Sequence, residues 1–172
     1  LPTGLRKEWV QRAAAAGKHI VCEKPCADSM ADLRQMIEAC RRSRVQFIDG
    51  VMFMHSARLA RMREVLDDRT SIGEIKRITS SFSFCAPPEF FGGNIRANGE
   101  MEHHGCLGDL GWYCIRFALW VMQWQMPRTV TGRILKEFTA PGVRSAVPTE
   151  FSGELLFENG ASSGFYTSFI TA

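Results

Sequence analysis

The sequence predicts an α/β segment followed by an α+β segment, with the change between them near residue 54. Helical and strand patterns alternate with short links over residues 1–50, which is typical of a parallel sheet. Beyond that point, long strand-like stretches replace the regular alternation, and such stretches favour an antiparallel sheet. We therefore divide the chain into a partial Rossmann domain at 1–54 and a partial α+β domain at 55–172.

The first half contains the predicted βαβ unit. Apolar residues spaced four apart predict a helix at 5–16, and an apolar run predicts a buried strand at 19–23. A second helix with an apolar stripe follows a Ser or Asp cap and ends near residue 43. Residues 45–48 predict another strand, which we expect to continue through 50–54. This order with short links predicts that the two strands pair in parallel.

The second half is predicted to form an open, mainly antiparallel sheet with a covering helix. Its strand-like stretches are rich in residues that favour β-structure, and Glu158-Asn159-Gly160 predicts a hairpin between the last two strands. Two amphipathic stretches predict helices. The predicted elements are helices at 55–68 and 109–124 and strands at 75–84, 128–138, 151–157 and 161–170.

Composition narrows the classes of function. The net charge of +3 is small and dispersed, which argues against a nucleic-acid partner, and no apolar run is long enough to span a membrane. None of the six cysteines forms a Cys-x-x-Cys pair, and several fall in apolar runs. This pattern favours buried reduced thiols and a cytoplasmic location over disulfides or zinc. His103 and His104 are adjacent and cannot easily chelate one metal, so no metal site is predicted.

Charged and rigid residues follow the first predicted strand. Glu23 and Lys24 come directly after the apolar run, and Pro25 has no N–H with which to continue a ladder. Open α/β sheets bind their ligands at the carboxyl ends of strands, so Glu23 and Lys24 are candidate site residues. The spacing alone also fits a surface Glu-Lys pair in a turn, which would have no function.

A second candidate stretch surrounds Asp109. Asp109, Trp112, Tyr113 and Arg116 are spaced three or four apart, so a helix would place them on one face. Asp109 is expected to be the N-cap or a first-turn residue of that helix. The alternative is a capping Asp beside a half-buried interface Tyr, without a chemical role.

The chain resembles the Gfo/Idh/MocA oxidoreductases. The resemblance lies in Pro2-Thr3, in the run from Cys22 to Pro25, and in the run from Gly105 to Tyr113. It implies that Glu23-Lys24-Pro25 ends the fifth strand of a Rossmann domain and supplies an active-site lysine. It covers nearly the whole chain but only about the middle half of a typical member. The chain looks similar to the glucose-fructose oxidoreductase and dihydrodiol dehydrogenase-like branch, among plant-type members.

This resemblance implies hydride transfer between a nicotinamide cofactor, NADP or NAD, and a carbinol of a sugar, polyol or dihydrodiol. The implied catalytic residues are Lys24, Tyr113 and Asp109. An ammonium at Lys24 would stabilise negative charge on the substrate oxygen, and Asp109 would orient Lys24 or a substrate hydroxyl. Tyr113 falls where many members have His and some have Tyr. A phenol is a poor base at neutral pH unless a cation such as Lys24 favours its ionised form.

The implied cofactor contacts include one departure from the family pattern. Members usually have His shortly after the Pro-Thr pair, whereas this chain has Arg6, a permanent cation. A permanent cation differs from a titratable imidazole, so this departure bears on how the cofactor is positioned. The implied cofactor-binding residues are Pro2, Thr3, Arg6, Glu23, Lys24 and Pro25.

A Gly-x-Gly-x-x-Gly turn, which holds the pyrophosphate in Rossmann domains, does not occur in these residues. We therefore expect a fragment truncated at both ends, inactive by itself, of an active oxidoreductase. The resemblance also implies a homo-oligomer assembled through the C-terminal sheet. The alternative is a non-catalytic dimerisation or scaffold module that has lost cofactor binding.

Overall fold

The computed structural model describes all 172 residues and contains the predicted βαβ unit. Helix α1 spans Thr3–Ala15, strand β1 Ile20–Cys22, helix α2 Met30–Arg42 and strand β2 Phe47–Asp49. The two strands pair in parallel, with Ile20 opposite Phe47 and Cys22 opposite Asp49. Ser29 caps α2, because its hydroxyl accepts a hydrogen bond from the Asp32 N–H at 3.1 Å. The first half is therefore the α/β unit that the sequence predicts.

The expected continuation of β2 through residues 50–54 is wrong. The Gly50 N–H donates to the Cys22 carbonyl at 2.7 Å, and Met52–His55 then form a 3₁₀ turn. Strand β1 is only three residues long because Pro25 follows closely, so β2 has no partner beyond Asp49. The chain therefore turns away from the sheet at Gly50.

The second half is built on a four-stranded sheet. Its strands are β3 at Arg77–Ser83, β4 at Thr129–Phe138, β5 at Val147–Leu156 and β6 at Ser162–Ser168. The strand order is β3-β6-β5-β4, and only the β3–β6 pair is parallel. The sheet is therefore mainly antiparallel, as predicted, and β5 and β6 form the predicted hairpin.

The second half also contains three helices. They are α3 at Ala57–Asp67, α4 at Pro88–Gly93 and α5 at Trp112–Val121, and a π turn at Leu107–Gly111 leads directly into α5. Helix α5 packs on the sheet through Ala118 and Val121, which meet Ile78, Leu155 and Phe157 in one buried cluster. No helix is long and apolar enough to cross a membrane.

The face of α5 that lies away from this cluster meets the first half of the chain. Trp112 packs against the buried residues of α1, β1 and α2, which include Val10, Cys22 and Met36. Arg116 forms an ion pair with Asp49, at the end of β2. Helix α5 thus joins the two halves, with a cleft beside it at the carboxyl end of β1.

Candidate functional site

Lys24 and Asp109 form an ion pair across the two halves of the chain. The Lys24 Nζ lies 2.5 Å from the Asp109 Oδ1 and also donates to the Asp109 backbone carbonyl at 2.8 Å. Both side chains are largely shielded, with exposed fractions of 11% and 13%. The alternative of a surface Glu-Lys pair is therefore wrong, because Lys24 turns inward at the end of β1 and its partner lies 85 residues away.

Asp109 belongs to a π turn and does not cap a helix. The residue at the N-cap position of this turn is Cys106, so Asp109 is not the N-cap, but it does lie in the first turn, which is the other position that the sequence predicts. The glycines permit this packing, because a Cβ on Gly108 would lie 2.9 Å from the His104 Cβ. A π turn shifts carbonyls out of the regular helical register, and here the Asp109 carbonyl accepts from Lys24.

Arg96 is a third charged member of this group, and the sequence did not single it out. Its Nε lies 2.9 Å from the same Asp109 Oδ1 that binds Lys24. The hydrogen bond to Asp109 raises the pKa of the Arg96 guanidinium. Arg96 belongs to a short 3₁₀ turn at Ile95–Ala97, in a segment without helical or strand periodicity. Asp109 therefore lies between two cations.

Tyr113 contacts Lys24 through its ring face. The Lys24 Nζ lies 4.9 Å from the centroid of the Tyr113 ring, which is the geometry of a cation–π contact. The ring is flanked by Phe53 and Phe82, at centroid distances of 6.0 and 5.3 Å. No hydrogen bond is formed by the Tyr113 hydroxyl, so the structure brings Lys24 to the ring and not to the phenol oxygen.

Thr3 binds Glu102, a residue that the sequence did not single out. The Thr3 N–H donates to Glu102 Oε1 at 3.0 Å, and the Thr3 hydroxyl donates to Oε2 at 2.5 Å. Both residues are buried. A carboxylate at a helix N-terminus satisfies free N–H groups and complements the helix dipole. Glu102 therefore fixes the start of α1 to the second half of the chain.

Arg6 is buried and forms hydrogen bonds with the turn that carries Lys24. Its guanidinium donates to the backbone carbonyls of Leu1, Glu23 and Pro25, at 2.9 Å for Glu23. The Glu23 and Pro25 carbonyls lie on either side of Lys24, so Arg6 holds the main chain around it. Only 8% of Arg6 is exposed, and the structure thus directs its donors at the protein's own backbone.

These groups surround a polar cavity of about 200 Å³ between the two halves of the chain. Predicted site residues and the two newly identified residues both contribute to its walls. Tyr113 is not among them, and neither is Thr3, whose donors are engaged by Glu102. The lining residues are Leu1, Arg6, Glu23, Lys24, Pro25, Ile95, Arg96, Glu102 and Asp109.

The paired histidines lie elsewhere. His103 Nδ1 is 2.7 Å from an Asp28 carboxylate oxygen, and His104 Nε2 is 2.9 Å from the Asp28 carbonyl. They therefore contact the start of α2 and do not line the Lys24 cavity. No group of three or more His, Cys, Asp or Glu side chains could hold a metal ion.

Sequence comparison assigns both halves to one family. A profile described as "Oxidoreductase family, NAD-binding Rossmann fold" matches residues 1–51, and one described as "GFO/IDH/MocA C-terminal domain" matches residues 59–172. A dTDP-3,4-didehydro-2,6-dideoxy-alpha-D-glucose 3-reductase from Actinomadura kijaniata is 32% identical over 118 residues. That match covers 69% of this chain and 34% of the reductase.

Two further matches extend over almost the whole chain. D-xylose 1-dehydrogenase (NADP(+)) 2 from Haloferax volcanii is 28% identical, over 99% of this chain and 49% of the enzyme. The aldose-aldose oxidoreductase from Caulobacter crescentus, solved with glycerol, superposes with a TM-score of 0.87 at 24% identity. This superposition covers 99% of this chain and 49% of that protein, and it shows the fold. The chain spans about half or less of the length of these relatives.

We predict that the Thr3–Glu102 contact makes a measurable contribution to stability. Thr3→Val keeps the shape of the side chain but removes the hydroxyl, which leaves a buried carboxylate with one donor fewer. The free energy of unfolding should fall by about 1–3 kcal/mol. Thr3→Ser keeps the hydroxyl and should cost clearly less. Urea denaturation of both variants checks this, and equal losses would show that the hydroxyl makes no net contribution.

Proposed function

The chain belongs to the GFO/IDH/MocA oxidoreductase family, and on that premise we propose that the whole protein is an NAD(P)-dependent oxidoreductase. Its substrates would be sugars, polyols or dihydrodiols that react at a carbinol carbon. The observation that carries this proposal is the shielded Lys24–Asp109 pair at the carboxyl end of β1. Ligands of open α/β sheets bind at that edge, and the cavity beside Lys24 is polar.

Lys24 is suited to bind the oxygen of the reacting carbon. An ammonium has three hydrogens, and two of those on Lys24 are directed at the Oδ1 and the carbonyl of Asp109. The third is available to a substrate oxygen in the cavity. As negative charge develops on that oxygen during carbonyl reduction, Lys24 stabilises it and can supply the proton from Nζ. In the oxidation direction the same contact stabilises the alkoxide.

Asp109 and Arg96 hold Lys24 in place. The Asp109 carboxylate fixes the direction of the ammonium, and Arg96 shares the same carboxylate oxygen. The Arg96 guanidinium stays beside the Asp109 carboxylate when Lys24 gives up a proton, so the carboxylate retains a charged partner. We propose Tyr113 as the second catalytic group, since its hydroxyl has no partner within the chain and its ring already contacts Lys24.

The proposed cofactor is a nicotinamide dinucleotide, with NADP preferred over NAD. When bound, it supplies or accepts the hydride. The residues present fit the reacting end of such a molecule, since a cavity of about 200 Å³ adjoins Lys24 and the exposed Glu23. We propose that Glu23, Lys24 and Pro25 border the cofactor in this cavity, and that Arg6 acts indirectly by shaping the turn around Lys24. Pro2 and Thr3 lie outside the cavity lining, so we propose that they act by holding the start of α1 beside it. The Haloferax relative, which is named for NADP(+), supports the choice of NADP.

The proposed role of Lys24 can be tested in the whole protein. Lys24→Met removes the ammonium and should lower kcat about 10²- to 10⁴-fold for a sugar or diol substrate, measured by nicotinamide absorbance. Tyr113→Phe should also lower kcat. Lys18→Met, at an exposed lysine outside the cavity, should leave kcat unchanged. Full activity of Lys24→Met would remove the basis of the proposal.

We propose that the chain by itself binds the cofactor weakly. These residues contain no Gly-x-Gly-x-x-Gly turn, and such a turn supplies the backbone N–H groups that hold the pyrophosphate. A fluorescence titration of the chain with NADPH should therefore show little saturable binding, and Lys24→Ala should change it little. Saturable binding that weakens in Lys24→Ala would mean that the cavity holds the cofactor without that turn.

The second candidate function is assembly through the sheet. Helix α5 covers one face of the sheet, whereas Arg77, Thr79 and Ser81 on the opposite face are exposed. Arg77 also pairs with Glu154 across the strands, which keeps this face polar and ordered. We propose that this face joins copies of the protein into a homo-oligomer. The non-catalytic alternative predicts this assembly without any activity.

Sedimentation of the whole protein tests the assembly. Wild type should sediment as a dimer or larger species, and Ser81→Glu should shift it toward monomer by placing a charge on the exposed face of the edge strand β3. Gln35→Glu adds the same charge at an exposed position on α2 and should not change the assembly. A monomeric wild type would contradict the proposal.

A further inference from the structure

Two buried cysteines flank the turn that carries Lys24. Cys22 is the last residue of β1 and Cys26 directly follows Pro25, and they are 5% and 2% exposed. The Cys22 Sγ lies 3.6 Å from the backbone carbonyl oxygens of both Glu23 and Cys26. All six cysteines of the chain are free thiols, and the side chains of Cys22 and Cys26 share the buried cluster of the first half. The proposed reaction uses neither thiol.

We propose that Cys22 and Cys26 form an oxidation-sensitive dithiol that reacts with hydroperoxides and closes a reversible disulfide around the Lys24 turn. The Cys22 thiolate attacks one peroxide oxygen, the O–O bond breaks, and the departing hydroxide takes up a proton to leave as water. This gives a sulfenic acid at Cys22. The Cys26 sulfur then attacks the Cys22 sulfur, its proton leaves with the sulfenic oxygen, and a second water is released. Two thiols are oxidised and one hydrogen peroxide is reduced to two waters.

The electrostatics of the pair support this order of events. The hydrogen bond from Cys26 lowers the pKa of Cys22 to about 7, with a smaller contribution from the Arg6 guanidinium. An ordinary cysteine has a pKa near 8.5, so Cys22 carries much more reactive thiolate at neutral pH. The same contact raises the pKa of Cys26, which remains a thiol until the sulfenic acid forms. The other charged or titratable neighbours of the pair are Glu23, the terminal ammonium of Leu1, Cys40 and Arg116.

The packing around Cys22 permits the reaction. Cys22 lines a cavity of about 220 Å³ with Arg6, Trp9 and Val10, which is large enough for a small hydroperoxide. On its other side it packs with Met36 in the apolar cluster of the first half. A disulfide is uncharged, so the product suits this cluster better than a buried thiolate does. The loop that it closes is short, which limits the entropic stabilisation and keeps the bond open to reduction.

Peptide mapping after oxidation provides the test. Cys85 is exposed, so the chain is prepared as Cys85→Ser to prevent links between molecules. It is treated with hydrogen peroxide at neutral pH, denatured and alkylated. Trypsin does not cleave before proline, and residues 19–34 therefore form one peptide that contains both cysteines. We expect this peptide to be unalkylated and lighter by two hydrogens, and to recover both thiols with dithiothreitol.

Cysteine variants and the pH dependence of the oxidation rate test the proposed mechanism. In Cys26→Ser the sulfenic acid at Cys22 should accumulate and react with dimedone, whereas Cys22→Ser should leave the peptide unoxidised. Oxidation should accelerate as pH rises through about 7. At pH 7 it should be about tenfold faster than at Cys114, whose pKa is raised by burial. A link between Cys22 and Cys40, or a 19–34 peptide that keeps both thiols while Cys114 oxidises, would overturn the proposal.

Discussion

The Lys24–Asp109 ion pair is the contact on which the arrangement of the site depends. Two charges with exposed fractions of only 11% and 13% lose most of their hydration, and this cost is recovered only through good geometry and additional partners. Asp109 meets this requirement with a second cation, Arg96, and Lys24 does so with the Asp109 carbonyl. Loss of Asp109 would leave the shielded Lys24 ammonium without its charged partner, whereas loss of Lys24 would leave Asp109 paired only with Arg96. A pair of this kind is better explained by the chemistry it supports than by the stability it adds.

The surrounding contacts hold the two halves of the chain in the relative position that the Lys24–Asp109 pair requires. Arg6 holds the carbonyls on both sides of Lys24, and Glu102 anchors Thr3 at the start of α1. Arg116 adds an ion pair to Asp49, at the end of β2. All of these contacts are polar and directional, so they define position more narrowly than apolar packing alone. The cavity beside Lys24 is therefore a rigid feature of the joined halves.

Family membership and geometry address different questions about this chain. The profiles and the superposition establish the family and the fold, and they cover about half or less of the relatives' own length. The local geometry adds what a family name does not contain, such as the sharing of one Asp109 oxygen by two cations. It also places two buried thiols, Cys22 and Cys26, on either side of the turn that carries Lys24.

The sequence by itself determined the local elements and several of the site residues. Apolar periodicity and turn chemistry correctly predicted the βαβ unit and the β5–β6 hairpin. These signals act over a few residues, because side-chain direction repeats every two residues in strands and about every 3.6 in helices. The error at residues 50–54 arose because a strand also requires a partner, and β1 has already ended there.

Only the tertiary structure decided how the site is assembled. Glu102 and Arg96 lie in irregular segments without periodicity, and Glu102 meets Thr3 across 99 residues of sequence. Arg6 occupied a position where the family resemblance implied a cofactor contact, yet its donors are directed at backbone carbonyls. The contact of Lys24 with the ring of Tyr113 likewise depends on the fold. Such contacts form between residues far apart in the chain, and each depends on which charged groups the fold brings together and shields from water.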